Sequence, residues 1–403
     1  MKPNRSAHTA LIVLALCFAL SFLGRGLGES FTVFLLPISN SFGWDRAEVT
    51  SIYSLAALSG GLAAPLVGRL FDRAGPRAVY TLGLSILGIT FLGATYAQHL
   101  WQLQITIGVV AGLGIACIGT VPNSILLGRW FGPRLPSAMS AIYSATGAGV
   151  LILLPTSQVL IDHIGWRGAY QIFGSTVLFL LVPMLLLPWK LFSSGSSNFT
   201  QSLHVDTTDR KWTLSNAMRH TAFWALFSTF FFTAIGMYSI VAQVIAYLVD
   251  AGFEPIEAAT AWGFSGITLL IGMLSITWLD GVIGRRRSVL LSYAFSISGI
   301  GMLWLLQWYP NVLLLTGFVV CFGSMIGSRG PLISATAMKI FRGEHVGAIF
   351  GTISIGSGLG AALGSWSGGL IHDATGSYNA LIVFALISVV LGMIPFLVVP
   401  ALR

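Results

Sequence analysis

The chain has 403 residues, of which 55% are hydrophobic and 8% charged, with a formal net charge of +8. A soluble globular chain carries about a quarter charged residues, so this one cannot clothe a water-facing surface of its size. That excludes a soluble enzyme, a nucleic-acid-binding module and a disordered scaffold, and leaves a helical protein that crosses a membrane many times.

Lys2 and Arg5 precede an apolar run that continues to Pro37 with no small-residue cleavage site. We read it as an uncleaved first membrane helix rather than a signal peptide. Further apolar runs follow at about 48–70, 78–98, 101–127, 137–161 and 167–189. After a polar stretch come six more, at about 221–249, 258–279, 288–308, 311–337, 346–370 and 378–399. Each reaches the ~20 residues that span the hydrocarbon. Lipid gives a bare backbone no hydrogen-bond partners, and strand-like alternation is absent, so the runs are predicted helices. The predicted fold is an all-α membrane protein of twelve transmembrane helices. Residues 1–189 form one six-helix bundle, 190–220 a cytoplasmic linker and 221–403 a second bundle. The linker is Ser-rich (Ser193, Ser194, Ser196, Ser197), then charged (Asp206, Asp209, Arg210, Lys211). Asn198-Phe199-Thr200 matches a glycosylation sequon, but on the cytoplasmic side, where it is discounted.

Orientation follows from the basic residues. One side holds Lys2, Arg5, Arg69, Arg73, Arg77, Arg129, Arg134, Lys190, Arg210, Lys211, Arg219, Arg285, Arg286, Arg287, Lys339, Arg342 and Arg403. The other holds only Arg46 and Arg167, while Arg25 and Arg329 lie within spans. This positive-inside asymmetry places both termini in the cytoplasm, at the cell (inner) membrane. It also accounts for the net charge through topology and anionic lipid, without nucleic acid.

The halves echo each other at an offset of about 210 residues, the mark of an internal repeat. Trp130-Phe131, Gly147, Gly149, Asp162 and Gly165-Trp166 answer to Ile340-Phe341, Gly356, Gly358, Asp373 and Gly376. Asp72, Gly75 and Arg77 answer to Asp280, Gly284 and Arg285. Duplicated bundles of this kind place a site at the interface of the halves, near the midplane.

The cysteines Cys17, Cys117 and Cys321 stand alone in apolar runs, and the seven histidines form no HxxxH or HExxH pair. No disulfide framework, metal site or cofactor is expected. No nucleotide-binding Gly-x4-Gly-Lys-Ser/Thr loop exists, so energy must come from an ion or solute gradient. Gly24-Arg-Gly26-Leu-Gly28 and Gly356-Ser-Gly358-Leu-Gly360 resemble fragments of a dinucleotide fingerprint. Lying inside spans, they read instead as sites of close helix approach. Pro37, Pro65, Pro122, Pro155 and Pro331 lie within or at the ends of spans and are expected to kink them.

Gly68, Asp72, Arg73, Gly75 and Arg77 follow the spacing Gly-x3-Asp-Arg-x-Gly-x-Arg. This resembles the loop between the second and third helices of the major facilitator superfamily. The resemblance implies a fold of two pseudo-symmetric six-helix bundles and a cytoplasmic gate in which the acid docks at a positive helix end. Ordinary positive-inside anchoring is the other reading of Arg73 and Arg77. A closer resemblance is to the monocarboxylate-porter and oxalate/formate-exchanger branch. It rests on Phe42-Gly43-Trp44 with Arg46-Ala47-Glu48, on Trp130-Phe131 with Arg134 and Ala138, on Gly165-Trp166-Arg167 and on Phe223-Trp224. Glu29-Ser30-Phe31-Thr32-Val33-Phe34 is similar to the branch's first helix, where animal members carry lysine at the position of Glu29. Studied members bind the substrate carboxylate with an arginine in the eighth helix; here 258–279 carries no charge, so the substrate class stays open.

Three ionisable groups stand out at span depth: Arg25, Glu29 and Arg329. Each costs on the order of 2.5–3.5 kcal/mol on insertion scales and so calls for a cavity and a partner. Arg25 and Glu29 are four residues apart and can pair on one helix face. The resemblance places all three on cavity-lining helices, with a net charge of +1. One reading makes Arg329 the holder of a substrate anion, assisted by Arg25, with Glu29 as the proton-coupling group. Arginine's planar fork suits a carboxylate. The other reading makes Arg25–Glu29 a structural pair and lets Arg329 cap backbone carbonyls near Gly327 and Gly330. Asn123, Tyr143, Gln158, Tyr238 and Gln243 are candidate substrate contacts, with Ser354 and Ser357 behind them; interhelical glue is the alternative for each.

The expected function is thus a secondary transporter, a monomer working by alternating access, that moves a small organic anion, a monocarboxylate, with a proton. Two alternatives stand beside it. One is a drug or metabolite efflux antiporter, which in this superfamily carries a Gly-Pro pair in the fifth helix. Here Gly147 and Gly149 are followed only by Pro155. The other is a non-transporting sensor, for which the linker is short. No nucleophile–base pair or metal set suggests an enzyme.

Overall fold

The computed structural model describes residues 5–131, 135–195, 212–341 and 346–402. Lys2, Arg134, Arg210, Lys211, Arg342 and Arg403 of the charge census, His204 and His345, and the linker residues Ser196 to Lys211 with their sequon lie outside them. Among the described residues there is no strand.

The helices in chain order are α1 (Arg5–Phe42), α2 (Arg46–Ala94), α3 (Leu100–Phe131), α4 (Leu135–Phe179), α5 (Leu181–Leu186) and α6 (Trp189–Ser194). Then come α7 (Leu214–Met218), α8 (Thr221–Val241), α9 (Val244–Asp250), α10 (Pro255–Ile283) and α11 (Arg285–Leu305). The last are α12 (Val312–Met325), α13 (Arg329–Ile340), α14 (Val346–Thr375) and α15 (Tyr378–Val398). Among the described residues, eight helices are long and apolar enough to cross a membrane. Two of these, α2 and α4, each join two of the predicted spans across a sharp reversal. The reversal in α2 is at Gly75 (φ 78°) and that in α4 at Gly165 (φ 72°). A positive φ strains any residue with a Cβ, which is why glycine stands at both.

The repeat appears in these turns. Gly43, Gly75 and Gly165 have positive φ, and so do Gly252, Gly284 and Gly376, about 210 residues on in each case. The same backbone reversals recur at the same stations of both halves.

Two compact units result. One comprises 1–34 and 59–206, the other 35–58 and 207–403. The stretch Leu35–Leu58, which ends α1 and begins α2, thus belongs with the second half of the chain.

In the second unit, α8 and α14 are the most extensively packed pair. The reason is a glycine every fourth residue on α14. A Cβ at Gly356, Gly360, Gly364 or Gly368 would meet the carbonyl oxygen of Phe227, Phe231, Ile235 or Ser239, respectively. Backbones approach this closely only where side chains are missing from the seam. In the first unit, Gly26 meets the Gly149 backbone in the same way. Both glycine patterns are therefore packing devices. The prolines fall as expected along helices, with Pro37, Pro65 and Pro155 inside α1, α2 and α4.

Several predicted spans are interrupted, 167–189 at Leu180 among them. α3 breaks at Gly119 (ψ −160°), the run 221–249 breaks at Ala242 and Gln243, and the run 311–337 breaks before Arg329. Irregular backbone survives at membrane depth only where protein or water satisfies it. At Gly119 the freed carbonyl of Ile118 accepts a hydrogen bond from the Asn123 amide at 3.2 Å.

Candidate functional site

Arg329 opens α13. Ahead of it, α12 passes into a 3-10 turn at Gly323–Met325, and Gly330 N–H closes a turn on the Gly327 carbonyl. The tenth predicted span is thus two half-helices, and Arg329 stands at the positive end of the second. Its side chain is 3% exposed. Nε donates to Ser292 Oγ at 2.9 Å, and Nη2 donates to the Ser292 carbonyl at 2.7 Å and to Ser296 Oγ. The guanidinium lies over the Tyr293 ring, 4.1 Å from its centroid, an attractive cation–π geometry. Tyr293 is itself fixed by Thr233 Oγ1 at 2.6 Å and by donation to the Gly392 carbonyl at 2.9 Å. Nη1 is buried and has no partner among the described residues. Among the same residues, no carboxylate forms an ion pair with Arg329.

Buried side-chain atoms without partners are few among the described residues. They are Thr229 Oγ1, both amide atoms of Gln243, Arg285 Nε and Arg329 Nη1. Gln243 sits at the break between α8 and α9 and is 1% exposed. Leaving a buried polar group unsatisfied costs about 1–3 kcal/mol, so such groups call for an explanation.

In the first unit, Arg25 and Glu29 form an ion pair at 2.7 Å, with 43% of the Arg25 side chain exposed and 10% of the Glu29 side chain. The pair cancels its own charge and leaves Arg329 as the uncompensated cation of the three. Asn123 is fully engaged: it accepts from Tyr80 Oη at 2.8 Å and donates to Ser21 Oγ at 2.8 Å and to two carbonyls. Gln158 donates to Asp162 at 2.8 Å. Tyr143 is half-buried on α4, and Tyr238 stands 6.4 Å, ring to ring, from Tyr53. Ser354 bonds back to the Phe350 carbonyl, and Ser357 is half-buried.

In the predicted gating loop, Gly75 makes the turn, Gly68 is half-buried, and Asp72, Arg73 and Arg77 are exposed. Among the described residues, Asp72 has no ion pair, whereas its counterpart Asp280 pairs with Arg285 at 3.2 Å.

Sequence reasoning missed Ser292, Tyr293 and Ser296, the partners of Arg329. Three serines and a tyrosine at 288, 292, 293 and 296, close to helical spacing, are the signal that could have found them. It also missed what the two arginines of the sparse side do. Arg167 donates to the Thr95 and Ala97 carbonyls, both at 3.1 Å, and Arg46 pairs with Asp250 at 2.6 Å.

A helical, multi-pass architecture with a repeated turn pattern and a buried cation lacking an acid among the described residues defines a membrane carrier. The comparisons place it further. The sequence matches the Major Facilitator Superfamily over residues 14–351, and the chain belongs to that family. It is 26% identical to the uncharacterized MFS-type transporter YcxA of Bacillus subtilis, over 96% of this chain and 95% of that one. It is 24% identical to monocarboxylate transporter 13 of Bos taurus, covering 95% of this chain and 87% of the other. With monocarboxylate transporter 3 of Rattus norvegicus the identity is 26%, covering 94% and 78%. The fold resembles that of a point mutant of the nucleoside transporter NupG, with a TM-score of 0.76 at 14% identity over 96% and 98% of the two chains. The protein is a multi-pass membrane transporter and not an enzyme.

Proposed function

We propose that this transporter moves a small organic anion, a monocarboxylate, across the cytoplasmic membrane together with a proton, through twelve spans and by alternating access. The observation that carries the reading is Arg329, a buried guanidinium with one nitrogen unused and no ion-paired acid among the described residues. A buried cation without a counter-ion is costly, and a carboxylate supplies both the missing charge and the missing acceptor. Ten residues, about 15 Å of helix, separate Arg329 from Lys339 on the cytoplasmic side, so the proposed site lies no deeper than about the middle of the ~30 Å hydrocarbon core and toward its cytoplasmic mouth. The start of the α13 half-helix adds a positive dipole end to the same place. Gln243, with its idle amide, is the second candidate contact. The monocarboxylate transporters among the relatives support the substrate class.

Glu29 is the proposed proton carrier. Its carboxylate is the negative half of the pair with Arg25. Protonation would release Arg25 and change the net charge of the carrier by one, the elementary requirement for coupling anion and proton movement. The chain is proposed to act as a monomer with both termini in the cytoplasm. The test is uptake into vesicles of a panel of radiolabelled carboxylates, with and without an imposed pH gradient. Accumulation of a carboxylate that the gradient drives supports the reading. Uptake confined to neutral or cationic solutes, or export of such solutes against a proton gradient, would replace it with the efflux reading.

A further inference from the structure

The seat of Arg329 decides which of its hydrogens a solute can reach. A guanidinium offers two flat forks to a planar anion, one from Nε with Nη2 and one from Nη1 with Nη2. Ser292 fills the first: its hydroxyl accepts from Nε at 2.9 Å and its carbonyl from Nη2 at 2.7 Å. The Ser296 hydroxyl also accepts from Nη2, which takes up that nitrogen's second hydrogen and closes the second fork. The Tyr293 ring covers one face of the guanidinium plane, with Cζ 4.1 Å from the ring centroid. What remains is Nη1, buried and without a partner among the described residues.

All three partners are neutral. Arg25 and Arg285 bond instead to Glu29 and Asp280, whose carboxylates cancel their charge. Arg329 keeps its charge and gives up its directional donors. The seat is also fixed. Ser292 and Ser296 stand one turn apart on α11, both fully buried, and Ser296 Oγ donates to the Ser292 carbonyl at 3.2 Å. Tyr293 is held from the other side by Thr233 and the Gly392 carbonyl. The guanidinium cannot turn a fork toward a solute without abandoning these partners.

A fork favours a carboxylate, whose two oxygens lie in one plane with it. A single nitrogen reads one anionic oxygen and does not sense whether the group behind it is planar or tetrahedral. We infer that Ser292, Tyr293 and Ser296 set the specificity of the carrier: they hold Arg329 so that it recognises one anionic oxygen through Nη1, and the substrate class takes in alkylsulfonates beside carboxylates. Ser296 is the positioning residue that withholds the second fork. The inference rests on the proposed role of Arg329 as holder of the solute anion. The arrangement suits a carrier, which must release its solute in every cycle, because one nitrogen lets go more readily than a fork.

The test is isothermal titration calorimetry on the purified full-length protein. The probes are straight-chain carboxylates from acetate to hexanoate and the sulfonates that carry the same alkyl groups. For the alkyl group that the wild type binds best as a carboxylate, the sulfonate binds within about tenfold, less than the worth of one charge-assisted hydrogen bond. Ser296→Ala frees the Nη1–Nη2 fork, and the preference for the carboxylate over its sulfonate rises roughly ten- to a hundredfold. Ser288→Ala removes an equally buried serine of α11, one that bonds back to the Gly284 carbonyl at 3.0 Å, and leaves the preference unchanged. Loosened packing does not sharpen discrimination, so the ratio separates positioning from a structural role, and the wild-type ratio needs no variant at all. A wild-type preference for the carboxylate above about tenfold, or an unaltered ratio in Ser296→Ala, overturns the inference while leaving Arg329 as the anion holder. Carboxylate binding that Arg329→Met leaves intact, or no binding of either class by the wild type, removes Arg329 from that role and the inference with it.

Discussion

Replacing Arg329 with methionine separates a ligand-binding arginine from a structural one. Methionine fills comparable volume without charge. The serines that hold the guanidinium keep other partners: Ser292 Oγ donates to the Val289 carbonyl at 2.6 Å and Ser296 Oγ to the Ser292 carbonyl at 3.2 Å. Tyr293 keeps Thr233 and Gly392. No buried group among these is orphaned, and an insertion penalty of about 2.5–3.5 kcal/mol is removed. The folded protein should therefore be at least as stable in detergent as the wild type. Anion binding should suffer instead. Two charge-assisted hydrogen bonds from Nη1, at about 1.5–3 kcal/mol each, amount to about 3–6 kcal/mol, or roughly a hundred- to ten-thousandfold in affinity. The assays are thermal unfolding of purified protein and carboxylate uptake into proteoliposomes. Unaltered uptake by Arg329→Met refutes the role in binding. A large loss of stability with the solute affinity intact refutes the argument that Arg329 is held there for solute rather than for the fold.

Other outcomes follow from the same geometry. Glu29→Gln should abolish accumulation driven by a pH gradient while leaving exchange of solute for solute, measured by counterflow; unchanged accumulation would move the coupling group elsewhere. Asn123→Ala removes the acceptor of Tyr80 and a donor to three oxygens, so thermal stability should fall by about 1–3 kcal/mol with little effect on the KM for uptake. A KM rise without destabilisation would make Asn123 a ligand contact. Gly364→Leu should prevent α8 and α14 from closing, seen as loss of monodisperse protein in size-exclusion chromatography, whereas a leucine at Ser367, off the glycine stripe, should be tolerated. Monodisperse Gly364→Leu would show that the glycine stripe is not what sets this contact.

Whatever depends on neighbours along the chain was legible in the order of the amino acids alone. Long apolar runs must be helices in lipid, because a bare backbone has nothing else to bond to. Gly75 and Gly165, with their echoes Gly284 and Gly376, mark reversals because only glycine takes a positive φ without strain. Arg25 and Glu29 pair because four residues make one turn. The loop motif and the repeat carried the family by the same local logic.

What lay beyond reach joins residues far apart in the chain. Asn123 is a candidate ligand contact by sequence, but its bonds to Tyr80 and Ser21 join residues 43 and 102 positions away. Arg329 was visible as a buried charge, but its seat on Ser292, Tyr293 and Ser296, and the one nitrogen left idle, depend on how α11 packs beside α13. The bonds of Arg46 to Asp250 and Tyr378 span 204 and 332 residues. Spacing rules act over a turn or two of helix; which polar groups find partners, and which are left without one, is settled only when distant helices pack.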